Sequence, residues 1–127
     1  MVAVIDVQAL KKALPTVTGT VKWTGLKAQV EIYRDRWGIP HVKASNLRDA
    51  FFAQGFATAQ DRLWQMEYDR RRGAGRWAEV VGETAVEQDK LMRLFRLTDS
   101  AQDDYRYTNG ETRQMFDDYA QGVNAFI

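Results

Sequence analysis

From Phe52 onward, apolar residues recur three and four positions apart. Phe52, Phe56, Ala59, Leu63 and Met66 make one stripe, which predicts a helix over 47–72. Ala53, Ala57 and Trp64 widen the stripe, so this helix is expected to be buried over much of its circumference. Asn46 is a good N-cap for it, and Gly73 and Gly75 end it. Gly55, in its middle, marks either close packing or a break between two helices. The period before it is two. Thr20–Thr24 alternates and reads as a strand closed by Gly25. Val30–Arg34 alternates again, Arg36-Trp37-Gly38 reads as a turn, and Pro40–Ala44 is the paired return strand of a hairpin. Pro40 falls on the first residue of that strand, where a missing N–H is tolerated.

The flanks carry shorter signals. Ile5–Leu14 reads as a short helix stopped by Pro15, with a turn over Thr16–Gly19. Gly75–Val81 reads as a helical turn capped by Gly82. Val86, Leu91, Leu94 and Phe95 predict a helix within Thr84–Leu97. Asn109-Gly110 reads as a turn. Met115, Tyr119, Val123 and Phe126 predict a last helix from Thr112 onward. That helix has no C-cap after its stripe and reads as cut rather than finished. A hairpin followed by helices, with all β structure in the first third, predicts an α+β fold.

Composition narrows the function classes. The chain has 127 residues, one domain or part of a larger one. Eighteen basic and 17 acidic residues leave a net charge of +1, which gives no general pull toward nucleic acid. There is no cysteine, so disulfides and thiolate metal sites are excluded. No apolar run is long enough to span a bilayer. Met1–Val7 lacks the features of a signal peptide, which leaves two readings open: a cytoplasmic protein, or a periplasmic or secreted one whose signal was removed.

Candidate chemistry is sparse. His41 is the only histidine, and a serine triad would need it beside an activated serine. Only Ser45 and Ser100 exist, and neither sits in a Gly-x-Ser-x-Gly elbow. The plainer reading of His41 is a strand histidine with hydrogen-bonded ring nitrogens. Asp103-Asp104 and Asp117-Asp118 lack EF-hand spacing and read as solvated helix faces. Arg70-Arg71-Arg72 closes a helix, where cations offset the macrodipole, and Glu67 pairs with Arg71 one turn on. Asp61-Arg62 interrupts an apolar helix. One of them is expected to reach a partner near Arg34, Asp35 or His41, unless both face solvent. Gly73-Ala74-Gly75 lacks the further glycine and preceding strand of a phosphate loop.

In chain order the motifs are these. Gly25-Leu26 precedes Val30–Tyr33, Arg34-Asp35, Gly38-Ile39-Pro40-His41 and Ala44. Ala53, Gly55 and Ala59-Gln60-Asp61-Arg62-Leu63-Trp64-Gln65-Met66-Glu67 follow. Then come Arg71-Arg72, Gly75, Ala78-Glu79, Gly82, Asp89, Arg93, Tyr119 and Gly122-Val123-Asn124-Ala125-Phe126-Ile127. In that order and spacing they resemble the N-terminal part of the α chain of the penicillin acylase (penicillin amidase) family, over about residues 19–127. Residues 1–18 would be an N-terminal extension.

The resemblance implies a piece of an αββα N-terminal-nucleophile hydrolase, made as a precursor and cut into α and β chains. The new N-terminal Ser of the β chain is the family's nucleophile, with its own α-amine as base through a water. Donors from the β chain hold the tetrahedral intermediate. The substrates are linear amides: penicillins, cephalosporin side chains and acyl-homoserine lactones. Many members bind calcium. The family's α-chain acyl-pocket residues and calcium ligand lie beyond the Tyr-x-x-Gly-x-Asn helix, so no catalytic, substrate-binding or metal residue carries over to this sequence. Two readings follow. One is a scaffold segment, inert alone, whose partner is the β chain of the same precursor. The other is a non-enzymatic helical interaction module presenting Met115, Tyr119, Val123 and Phe126. Both predict self-association through the C-terminal helix, and neither needs nucleic acid or a membrane.

Overall fold

The computed structural model of the chain describes residues 7–12 and 14–127. In chain order it holds helix α1 (Val7–Lys12), strands β1 (Glu31–Arg34) and β2 (Pro40–Lys43), then α2 (Leu47–Gly73), α3 (Ala78–Val81), a 3₁₀ turn (Gly82–Ala85), α4 (Val86–Phe95), α5 (Leu97–Tyr107) and α6 (Gly110–Phe126). The predicted first helix falls partly outside the described residues, at Ile5, Asp6 and Ala13.

The hairpin forms where its alternation placed it. β1 and β2 pair antiparallel, Glu31 opposite Lys43 and Arg34 opposite Pro40. Its turn is held by Asp35, whose carboxylate accepts from the N–H groups of Trp37 and Ile39 at 2.8 and 3.0 Å. Gly38 has φ +79°, a left-handed conformation that glycine reaches without steric cost. Thr20–Thr24 is not a strand. Among the described residues this segment has only a single bridge, Thr24 to Leu26. Alternation alone does not make a strand without a neighbour to take its N–H and C=O groups. Trp23 packs instead on Phe52 of α2, ring centres 5.9 Å apart.

The long helix α2 is the axis of the structure. Its N-terminus is closed by a reciprocal cap: Asn46 Oδ1 accepts from the Asp49 N–H, and the Asn46 amide donates to the Asp49 carboxylate. Buried Asp49 also accepts from the N–H groups of Lys27 and Ala28, both at 2.9 Å, and so ties the segment before β1 to the start of α2. α2 and α6 run antiparallel in close contact. A Cβ on Gly55 would collide with the Tyr119 carbonyl, and one on Gly122 with the Phe52 carbonyl. Gly55 therefore marks close packing and not a break. The stripe Met115, Tyr119, Val123 and Phe126 is half-buried along α6, with Phe126 edge-on to Phe56. The helix does bend, but at Arg62, where φ −137° and ψ +19° leave the helical region.

The region between α2 and α6 departs most from expectation. The helix expected within Thr84–Leu97 is present as α4, but a 3₁₀ turn precedes it and a further helix, α5, follows it across a break at Arg96, which has φ +52°. The predicted turn at Asn109-Gly110 is the start of α6, with Asn109 accepting from the Thr112 N–H as N-cap. The buried side of α4 is not its apolar stripe. Asp89 is buried, and its carboxylate accepts from the N–H groups of Trp77 and Ala78 at 3.0 and 2.7 Å. Arg93 donates to the Gly75 carbonyl from the same side. Leu91, Leu94 and Phe95 face outward. A carboxylate bonded to two otherwise unpaired N–H groups at a helix start decides the orientation, because leaving those donors dry is costly.

Candidate functional site

Arg34, the last residue of β1, is the polar centre of the molecule. Its guanidinium donates to both oxygens of Asp61, at 2.8 and 3.0 Å, to Gln60 Oε1 at 2.7 Å and to the Gly38 carbonyl at 2.9 Å. Gln60 in turn donates to the Thr16 carbonyl. One side chain thus joins the hairpin turn, the middle of α2 and the N-terminal segment. This is a bidentate pair, the stronger form of an Arg–carboxylate contact. Asp61 does reach a partner outside its own helix, as its place in an apolar pattern demanded. Arg62 is exposed, and the bend of α2 falls on it. Beside this pair lies a cavity of about 380 Å³, walled by the apolar Trp23, Ile32, Phe52 and Phe56 and by the polar Thr16, Arg34 and Gln60.

His41 is not set up as a general base. It pairs across the hairpin with Tyr33, ring stacked on ring at 4.9 Å and 7°. Its Nε2 lies 3.4 Å from the Asp35 carboxylate. Partial desolvation pushes the Asp35 carboxyl up, but the N–H groups of Ile39 and Trp37 and the His41 ring outweigh it, and the net shift is downward. Ser45 receives a bond from Asn46 and not from His41. The residue types for a triad are present without the geometry.

The arginine run is an ion-pair network. Arg70 and Arg71 both donate to Glu67, and Arg71 and Arg76 both to Glu79. The Arg70 and Arg71 contacts lower the Glu67 carboxyl to about 2. Three of these arginines are thus held on two carboxylates, while Arg72 donates to the Tyr68 hydroxyl.

Asp118 departs from the expected solvated face. It is 4% exposed and accepts from Nε and Nη2 of Arg48 and from Gln114. Its neighbour Asp117 accepts from the Tyr105 hydroxyl at 2.6 Å. Sequence reasoning missed three buried carboxylates: Asp49, Asp89 and Asp118. Asp49 had a signal, since it stands three residues after an Asn cap. Among the described residues no group of three His, Asp or Glu side chains converges as metal ligands. No helix among them is long and apolar enough to cross a membrane.

The arrangement is a capped hairpin clamped to a long helix, crossed by a second helix at two glycines. The thermostable penicillin G acylase from Alcaligenes faecalis superposes with a TM-score of 0.69 at 35% identity, over 77% of this chain and 52% of that one. The penicillin acylase 2 proenzyme of a Pseudomonas species is 45% identical over 127 residues, all of this chain and 16% of that protein. The acyl-homoserine lactone acylase QuiP of Pseudomonas aeruginosa is 38% identical over 91% of this chain and 14% of its own length. The hairpin and helix pair are thus those of an N-terminal-nucleophile hydrolase. Within that class the chain belongs to the penicillin amidase family, whose model matches residues 29–127. It spans about one sixth of the length of the curated relatives it matches.

Proposed function

We propose that this chain is a scaffold segment of an amide hydrolase. The whole enzyme removes an acyl group from a linear amide of the penicillin, cephalosporin or acyl-homoserine lactone type. The nucleophile is the N-terminal Ser of a β chain cut from the same precursor, and this segment alone is inert. Any calcium ion belongs to the remaining polypeptide.

One observation carries the reading: the charged side chains most suggestive of chemistry are engaged in holding elements together. Arg34 and Asp61 clamp the hairpin to α2, and His41 stacks on Tyr33 beside Asp35. Catalytic groups need a reacting atom within reach, and these reach other parts of the scaffold. The interaction-module reading loses support, because its stripe on α6 is half-buried along the crossing with α2.

The test is an assay of the purified 127-residue chain against a phenylacetyl amide, a cephalosporin amide and an acyl-homoserine lactone. No turnover is expected from the chain alone, and turnover is expected when the rest of an acylase is supplied. Turnover by the isolated chain refutes the scaffold reading.

A further inference from the structure

Helix α4 is anchored on one side and bare on the other. On the anchored side Asp89 caps α3, Arg93 holds the Gly75 carbonyl, and Gly75 itself, at φ +62°, lies against the Asp89 carbonyl and the Arg93 side chain. On the other side Leu91, Leu94 and Phe95 stand at positions i, i+3 and i+4, which places them on one helical face. They are 51%, 78% and 60% exposed. Scattered apolar residues on a surface are ordinary, but here three large ones stand in register on a helix tethered by Asp89 and Arg93, and form a continuous apolar ridge. Its shoulder carries a local Lys90–Glu87 pair, so no net charge invites an ionic partner.

We infer that the Leu91–Leu94–Phe95 ridge is a docking surface for an apolar face of the remaining acylase polypeptide. The inference rests on the scaffold reading. The occupant follows from length. A relative 45% identical to this chain has about five-sixths of its polypeptide outside the matched region, and the solved acylase chain extends about as far again as the part that superposes. That polypeptide must pack on this scaffold somewhere. The α2–α6 crossing is already closed by backbone contact at Gly55 and Gly122. The ridge on α4 is open.

The experiment co-expresses this chain with the remainder of the Pseudomonas penicillin acylase 2 proenzyme and measures co-purification. The wild-type chain is expected to be retained. The Leu94→Glu/Phe95→Glu variant is expected to lose at least about tenfold in retained complex, because association would bury two unpaired carboxylates. Leu94→Gln should lose less. Circular dichroism melts of each chain alone separate docking from folding, since both side chains are exposed and the melts should match wild type. Retention of the double variant at the wild-type level overturns the ridge and leaves the scaffold reading standing. So does a loss matched by a lowered melt. A wild-type homodimer broken by the same substitutions assigns the ridge to a second copy and overturns the inference. Failure of the wild-type chain to be retained overturns both readings together.

Discussion

Gly55 lies directly against the backbone carbonyl of Tyr119, and Gly122 repeats the relationship with the carbonyl of Phe52. Two helices approach to backbone contact only where neither presents a Cβ. Helix propensity alone favours alanine over glycine by about 1 kcal/mol. Overpacking costs about 1–3 kcal/mol, and here the obstacle is backbone, which cannot rotate away. With the propensity gain set against the overpacking, Gly55→Ala and Gly122→Ala are each expected to lower stability by about 1–2 kcal/mol in urea unfolding. A midpoint equal to or above wild type would show that the helices slide apart at no cost.

Arg34 and Asp61 form a bidentate pair with side chains 17% and 33% exposed. An exposed pair contributes about 0–1 kcal/mol, and a fully buried one costs about 3–5 kcal/mol to break. This pair lies between the two. A double-mutant cycle with Arg34→Ala and Asp61→Ala should give a coupling energy of about 1–2 kcal/mol. A value near zero would reduce the pair to a surface contact.

The adjacent residues Asp117 and Asp118 make an internal control. Asp118 is buried and receives three hydrogen bonds, two of them from Arg48. Asp117 receives one, from Tyr105. Asp118→Ala leaves Gln114 and Arg48 without their shared acceptor and should cost about 2–3 kcal/mol. Asp117→Ala should cost less than about 1 kcal/mol. Equal losses in thermal melts would contradict the difference in burial.

Acid should destabilise the fold through carboxylates with depressed titration points. Desolvation raises the Asp49 carboxyl, but the N–H groups of Lys27 and Ala28 and the Asn46 amide outweigh it and lower it overall. Glu67 falls from 4.5 to about 2 through its bonds to Arg70 and Arg71. A carboxyl lowered in the folded state binds fewer protons there than in the unfolded chain, so its stabilisation is full above the unfolded value and is lost as the pH falls. Stability should therefore hold from neutral pH to about 4.5 and decline from there toward about 2. Glu67→Gln should flatten part of that decline. An unchanged slope in the variant would remove Glu67 from the account.

Residues Phe52 to Met66 and Val30 to Ala44 were legible because their order is local. Period-two and period-3.6 patterns, a glycine in a turn and an asparagine before a helix act within a few residues of themselves. The Asp61 partner was also foreseeable, since a charge in an apolar stripe needs a counter-charge and Arg34 was among the few on offer. The misreadings share the opposite character. Thr20–Thr24 has a strand pattern and no strand to pair with, so Trp23 settles on Phe52 instead. The apolar positions of α4 face outward because Asp89 and Arg93 are claimed by backbone groups of Gly75, Trp77 and Ala78.

By itself the sequence determined the hairpin, the long helix α2, the last helix, their order and the family, because those rest on periodicity and on motifs in series. Only the tertiary structure decided which faces are buried and which carboxylates lie inside. Those outcomes depend on contacts between residues 12 to 70 positions apart, such as Asp89 with Trp77 and Arg48 with Asp118, whose hydrogen bonds outweigh the local apolar pattern.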